Sequence, residues 1–276
     1  MIDLIFFTDL DGTLLDHYSY SWQLAQTALD KLSLNKIPLI FCTSKTKAES
    51  IYFREQIGIE DPFIVENGAA IYSPSDYFNF RFSDQNIGEY EVKKYGTAYP
   101  QLRKFIKFCR NEFKIQLLGF GDLKTEKIQE LTGLTEHQVK LAVKREFSEP
   151  FYFLDEKSEK KLPDIRCLAK EKNLEISKGG RFYHLSGLHD KGNAVETVIN
   201  HFLKNRNQDL ISIGIGEALN DFSMLQKVKI PCLVKNAKDQ YEQEIVAKLF
   251  PRLAGSTGPE GWNKIVLEIL AEYDIG

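Results

Sequence analysis

No apolar run in this 276-residue sequence approaches the ~20 residues that a membrane-spanning helix needs. A basic segment followed by a cleavable apolar stretch is also missing at the start, where the text opens on strand-like residues; a cytoplasmic location is the expectation. Cysteine is scarce. Cys42, Cys109, Cys167 and Cys232 form no CxxC pair, and no histidine stands at zinc-site spacing from them, which argues against a zinc module or a dithiol redox motif. Reduced, mostly buried thiols are expected. An excess of either charge is lacking too: 36 Lys and Arg oppose 39 Asp and Glu, for a net charge of −3. That balance offers no basic footprint to nucleic acid or an anionic membrane. Repeats, low-complexity segments and long Pro/Ser linkers are absent as well.

What is present is an ordinary globular composition, 43% hydrophobic and 27% charged, in a length that suits about two domains. Leu4–Thr8 and Ile37–Thr43 are apolar runs, Ser21–Leu34 has helical spacing, and a second helical segment closes at Gly58. Pro62–Tyr72 reads as strand, turn, strand, so the first seventy or so residues predict a parallel sheet with crossover helices. From about Ser83 to Ser177 the text is more charged, and helices mix with short strands without strict alternation, as in an α+β module. Alternation returns near Asp190. The expected fold class is α/β, a Rossmann-like parallel-sheet core over 1–83 and 186–276, with an inserted α+β cap domain over 84–185.

The stretch "LIFFTDLDGTLLD" places Asp9 and Asp11 at the tip of a buried strand. Like charges so close repel, and desolvation sharpens the repulsion. Sites in open parallel sheets form at carboxyl strand ends, and a divalent cation there would relieve the pair. Hard oxygen ligands in a cleft suit Mg2+, which retains waters and sits beside phosphates. Three further strand ends or helix starts supply matching groups. Thr43-Ser44-Lys45 offers a hydroxyl and backbone N–H donors for a phosphate. Asp190-Lys191-Gly192 offers a point charge, and "GEALND" offers Glu217, Asn220 and Asp221. Each has a plain alternative: a turn for the aspartates, an N-cap for Thr43 or Ser44, a solvated surface role for Lys191, a macrodipole partner for Asp221.

"DLDGTLLD", "FCTSKT", "HDKGNAVE" and "GIGEALNDFSML" resemble the four motifs of the haloacid dehalogenase superfamily of phosphatases. "ENGAAIY", "LTGLTEHQVKLAVKREFSEPF", "SKGGRFYHLSG" and "GPEGWN" resemble segments of its mannosyl-3-phosphoglycerate phosphatase family. The resemblance implies that Asp9 is the nucleophile, forming an aspartyl phosphate, and that Asp11 is the general acid and base. It implies that Thr43 and Lys191 bind the phosphoryl oxygens. It also implies a Mg2+ cofactor held by Asp9, Asp11, Glu217 and Asp221. Where the family has Gly-Asp this chain has Gly216-Glu217, so the glutamate ligates from a set-back turn, acts through water, or yields to Asp221.

The implied partner is a small sugar phosphate, a mannosyl- or glucosyl-3-phosphoglycerate. Ser44, Lys45, Arg145, Ser148, Glu149, Lys178, Arg181 and His184 are the candidate contacts to its carboxylate and hydroxyls. For Arg145 a surface helix pair with Glu146 is an equal alternative, and for His184 a satisfied core position. "GPEGW" is either a loop beside the pocket or a helix start with Trp262 in the core. Two other functions stay open: a phosphatase or mutase for another sugar phosphate, and a non-catalytic regulatory protein in which Glu217 marks lost chemistry.

Overall fold

The computed structural model describes residues 3–179, 181–205 and 209–275. The chain opens on β1 (Asp3–Thr8), buried from Leu4 onward. Burial of consecutive residues, rather than alternate ones, marks a central strand covered on both faces. Next come α1 (Gln26–Leu34), β2 (Leu39–Cys42), α2 (Lys47–Ile57), β3 (Phe63–Val65) and β4 (Ala70–Pro74). Two short strands follow, β5 (Asn86–Ile87) and β6 (Tyr90–Lys94). The middle of the chain forms α3 (Tyr99–Phe113), β7 (Leu117–Gly119), α4 (Thr125–Thr132), α5 (Glu136–Ala142) and β8 (Ser148–Phe153). It continues through α6 (Glu156–Glu159), α7 (Leu162–Glu171), β9 (Leu174–Gly179) and β10 (Phe182–Gly187). Strict alternation resumes with α8 (Lys191–Asn205), β11 (Leu210–Gly216), α9 (Phe222–Lys227) and β12 (Ile230–Lys235). Last are α10 (Gln243–Leu249), β13 (Arg252–Thr257) and α11 (Gly258–Glu272).

These elements form two compact units. The first takes the chain up to Ser44, Phe53–Lys93 and the residues from Asp190 onward. Its nine-stranded sheet has the order β13-β12-β11-β1-β2-β3-β4-β6-β5. The six strands from β13 to β3 are parallel, and β4 returns antiparallel to β3. The result is an α/β fold with a Rossmann-like core. The second unit takes Lys45–Tyr52 and Lys94–His189. It carries an antiparallel sheet of order β7-β8-β10-β9. Leu102, Phe105 and Ile106 of α3, with Ile165 and Ala169 of α7, pack against Phe151, Ile176, Tyr183 and Leu185 on one face of that sheet.

The boundary expected after residue 83 falls short, because β5 and β6 extend the large sheet and the first unit runs to Lys93. β6 buries only Tyr90 and Val92 between charged residues, so it offers no apolar run to read. The return expected at 186 comes at Asp190, since β10 reaches Gly187. Neither α10 nor β13 was anticipated; β13 is "RLAGST", with one buried residue.

Candidate active site

β1 lies between β2, reached early in the chain, and β11, reached late. The carboxyl end of β1 is therefore the switch point of the sheet, where open α/β sheets bind ligands. Asp9 stands just past that end, almost fully buried, and its backbone N–H donates to the Ile215 carbonyl of β11 at 3.0 Å. Lys191 begins α8, which Asp190 caps by accepting from the Asn193 N–H at 2.9 Å. Lys191 is 1% exposed, which rules out a solvated surface role. Its Nζ donates to Asp9 Oδ1 at 2.6 Å and to Asp221 Oδ1 at 2.7 Å. The other Asp221 oxygen accepts from the Glu217 and Ala218 N–H groups at 2.9 and 3.1 Å. Asp221 was expected among the metal ligands. Here both its oxygens accept from protein donors, so it orients Lys191 and pins the turn after β11.

The charges at this strand end respond to one another. Burial pushes the Asp9 carboxyl up to about 7, Lys191 pulls against that, and Asp221 and Asp11 add to the rise. For Lys191 burial alone would favour the neutral amine, but the Asp221 and Asp9 carboxylates overrule it and hold the ammonium form. Glu217 is pushed up to about 8, first by burial and then by Asp9, Asp221 and Asp11.

Asp11 opens the turn after Asp9, which closes through Thr13 and Leu15 N–H bonds to the Leu10 carbonyl at 3.1 and 2.8 Å. Gly12 has φ +70°, and a Cβ there would overlap the Glu217 carboxylate. The longer glutamate thus reaches over from β11 into space that only a glycine leaves open. Glu217 Oε2 is buried and has no hydrogen-bond partner among the described residues. Among those residues no three His, Cys, Asp or Glu side chains form a ready cation cage. Mg2+ needs only one or two carboxylates and keeps its waters. A crowded pair of acids and an orphaned carboxylate oxygen fit such an ion.

The plain alternative for Thr43 and Ser44 also fails. Thr46, not either of them, caps α2: the Thr46 N–H donates to Glu49 Oε2 at 2.9 Å and the Glu49 N–H to Thr46 Oγ1 at 3.1 Å, a capping box. Thr43 is fully buried, and its carbonyl accepts from Asn67 N–H at 2.9 Å. Asn67 belongs to a turn that sequence reasoning passed over as a simple link. Glu66, Asn67 and Gly68 have φ of +46°, +59° and +94° in succession. A side chain on Gly68 would collide with the Asp190 carbonyl, so this strained turn wedges between the Thr43 and Lys191 segments. Asn-Gly was the legible signal. "GPEGW" resolves as a helix start, Trp262 being buried in α11.

In the second unit the candidate contacts divide. Arg145 Nη1 donates to Ser148 Oγ at 2.9 Å. Burial, and then the Arg145 charge, pulls His184 down to about 4, so its ring is neutral at pH 7. Ser148 and His184 alternate with Phe151 and Tyr183 along paired strands, on the sheet face away from α3 and α7. Glu149 does not belong with them. It points to the helix side, fully buried, and accepts from Arg103, which together with Arg110 also pairs with Asp122. Lys178 likewise points to the helix side, its Nζ 3.3 Å from the Tyr183 hydroxyl. Arg181 donates to the Leu131 carbonyl at 2.7 Å, tying the β9–β10 connection to the end of α4. Lys45 is buried against Glu49 at 3.7 Å. Arg103 and Asp122 were not picked out from the sequence.

Comparison with known proteins bears on these groups. The haloacid dehalogenase-like hydrolase family matches residues 6–245. The chain belongs to that family. A glucosyl-3-phosphoglycerate/mannosyl-3-phosphoglycerate phosphatase of Persephonella marina is 41% identical over 276 residues, 99% of either chain. An enzyme of the same name from Methanococcoides burtonii is 38% identical, with 97% of each chain covered. A phosphatase of the haloalkanoate enzyme superfamily from Bacteroides thetaiotaomicron shares the fold, with TM-score 0.66, 16% identity, and coverage of 100% of this chain and 96% of its own. As a haloacid dehalogenase-like hydrolase, the chain has the parallel-sheet core that the four motifs implied.

Proposed function

We propose that the chain is a Mg2+-dependent phosphatase that converts a mannosyl- or glucosyl-3-phosphoglycerate to the glycosylglycerate and phosphate. The observation that carries this is the Asp9–Lys191–Asp221 arrangement at the switch point, in a chain matching relatives of that named activity along nearly its whole length. Asp9 attacks phosphorus, the bond to the leaving alcohol breaks, and Asp11 protonates that oxygen. Asp11 then takes a proton from water, which displaces phosphate from the Asp9 ester. Lys191, with the Thr43 and Ser44 donors, holds the phosphoryl oxygens, so the chain's work is positioning and charge neutralisation. Asp9, the Asp11 backbone carbonyl and Glu217 would hold the cation, which when bound screens the nucleophile from the phosphoryl charge and leaves the Asp11 carboxyl free for proton transfer. Asp221 keeps Lys191 aimed. Arg145, Ser148 and His184 are the groups we assign to the substrate's carboxylate and hydroxyls; a neutral imidazole suits a hydroxyl. We place the activity in the cytoplasm. Among the described residues no helix is long and apolar enough to cross a membrane. The test is phosphate release from both glycosyl-3-phosphoglycerates with Mg2+. Release from at least one supports the assignment, and release from neither rejects that substrate class.

A further inference from the structure

Trp262 is fully buried in the first turns of α11, and its indole N–H donates to Thr8 Oγ1 at 3.0 Å. Thr8 is fully buried as well, and its hydroxyl lies 2.7 Å from the backbone carbonyl of Asp9. An indole can only donate, so on that bond the Thr8 oxygen must accept. Its own proton is then committed to the Asp9 carbonyl. The two bonds form a one-way relay from the C-terminal helix to the peptide that follows the nucleophile.

Given the phosphatase activity proposed above, we infer that Trp262 and Thr8 are positioning residues, a relay that fixes the Asp9–Leu10 peptide plane and thereby the angle at which the Asp9 carboxylate is presented. Asp9 is held at three points. Its N–H is bound to the Ile215 carbonyl, its carboxylate to Lys191, and its carbonyl to Thr8. The first two hold one end of the residue and the tip of its side chain. The third bears directly on the Asp9–Leu10 peptide, at the point where the chain leaves β1 for the turn at Gly12. A carboxylate nucleophile is weak, and its rate depends on in-line placement. A buried indole N–H needs some acceptor. The Thr8 bond does more than meet that need, because it passes the constraint on to the reacting residue.

Steady-state kinetics with p-nitrophenyl phosphate and Mg2+ on the parent chain, Thr8→Val, Thr8→Ser and Trp262→Phe test the relay. Hydrogen–deuterium exchange over Asp9–Thr13 in the same proteins provides a second readout. Thr8→Val and Trp262→Phe lower kcat about 10- to 100-fold with little change in KM, since the phosphate-binding groups are untouched. Both speed exchange in the segment, while Thr8→Ser, which keeps the hydroxyl, restores kcat and slow exchange. A purely structural role would lower thermal stability in both variants without this split or rescue. A folded Thr8→Val protein with parental kcat and parental exchange overturns the inference. A parent inactive toward p-nitrophenyl phosphate and toward both glycosyl-3-phosphoglycerates would remove the phosphatase reading, and the exchange pattern would still decide the relay.

Discussion

Glu217 shows how a single residue adapts the site. Its carboxyl is pushed up to about 8, and one of its buried oxygens has no hydrogen-bond partner among the described residues. Without a cation it is therefore largely protonated at pH 7. A bound divalent ion favours the carboxylate, so binding of Mg2+ at pH 7 expels a proton. Calorimetric titration of Mg2+ in buffers of different ionisation enthalpy should show that release, reduced in Glu217→Gln. His184 titrates in the other direction. Its folded pKa of about 4 lies below the ordinary 6.5, so the unfolded chain takes the proton first as the medium is acidified. Its contribution to stability is complete above 6.5 and is lost as pH falls through 4. Melting temperatures over that window should fall less steeply in His184→Gln than in the parent. Asp9, Asp11 and Lys191 could be read from the sequence because each closes an apolar run or opens an amphipathic one. The reach of Glu217 could not, because it depends on which residue of β1's turn faces β11, a matter of strand pairing across distant segments.

At the scale of elements, helices such as α3 and α8 carry clear apolar spacing along their length, the kind of element that periodicity makes legible. β5, β6 and β13 were not legible, because short edge strands carry charged or small residues and owe their place to a neighbour's open hydrogen bonds. Parity explains the misplaced contacts in the second unit. Glu149 sits next to Ser148, and successive residues of a strand face opposite sides, so one of them had to point toward the helices. There it is paired with Arg103, which itself is shared with Asp122. Removing one member of such a pair leaves a buried charge without a counterion. Arg103→Leu is expected to destabilise the protein by about 3 kcal/mol, and Arg103→Leu with Glu149→Leu by less than the sum of the single changes. Urea unfolding of the three variants measures both.

At the scale of the whole molecule, the parallel sheet gathers to one edge side chains from the start, middle and end of the sequence. Asp9, Lys191, Asp221 and Trp262 meet there although the inserted unit separates the first from the rest. The constellation was legible because each motif closes a strand or opens a helix. The relay was not, and of the wedge at Gly68 only the Asn-Gly turn was, since where each packs is not encoded in periodicity. The central claim is that this edge makes Asp9 a nucleophile toward phosphorus. Rapid acid quench during turnover of a glycosyl-3-phosphoglycerate with Mg2+, followed by mass analysis of the peptide around Asp9, measures it most directly. A phosphoryl group on Asp9, absent in Asp9→Asn, is the predicted result; undiminished phosphate release by Asp9→Asn would contradict it.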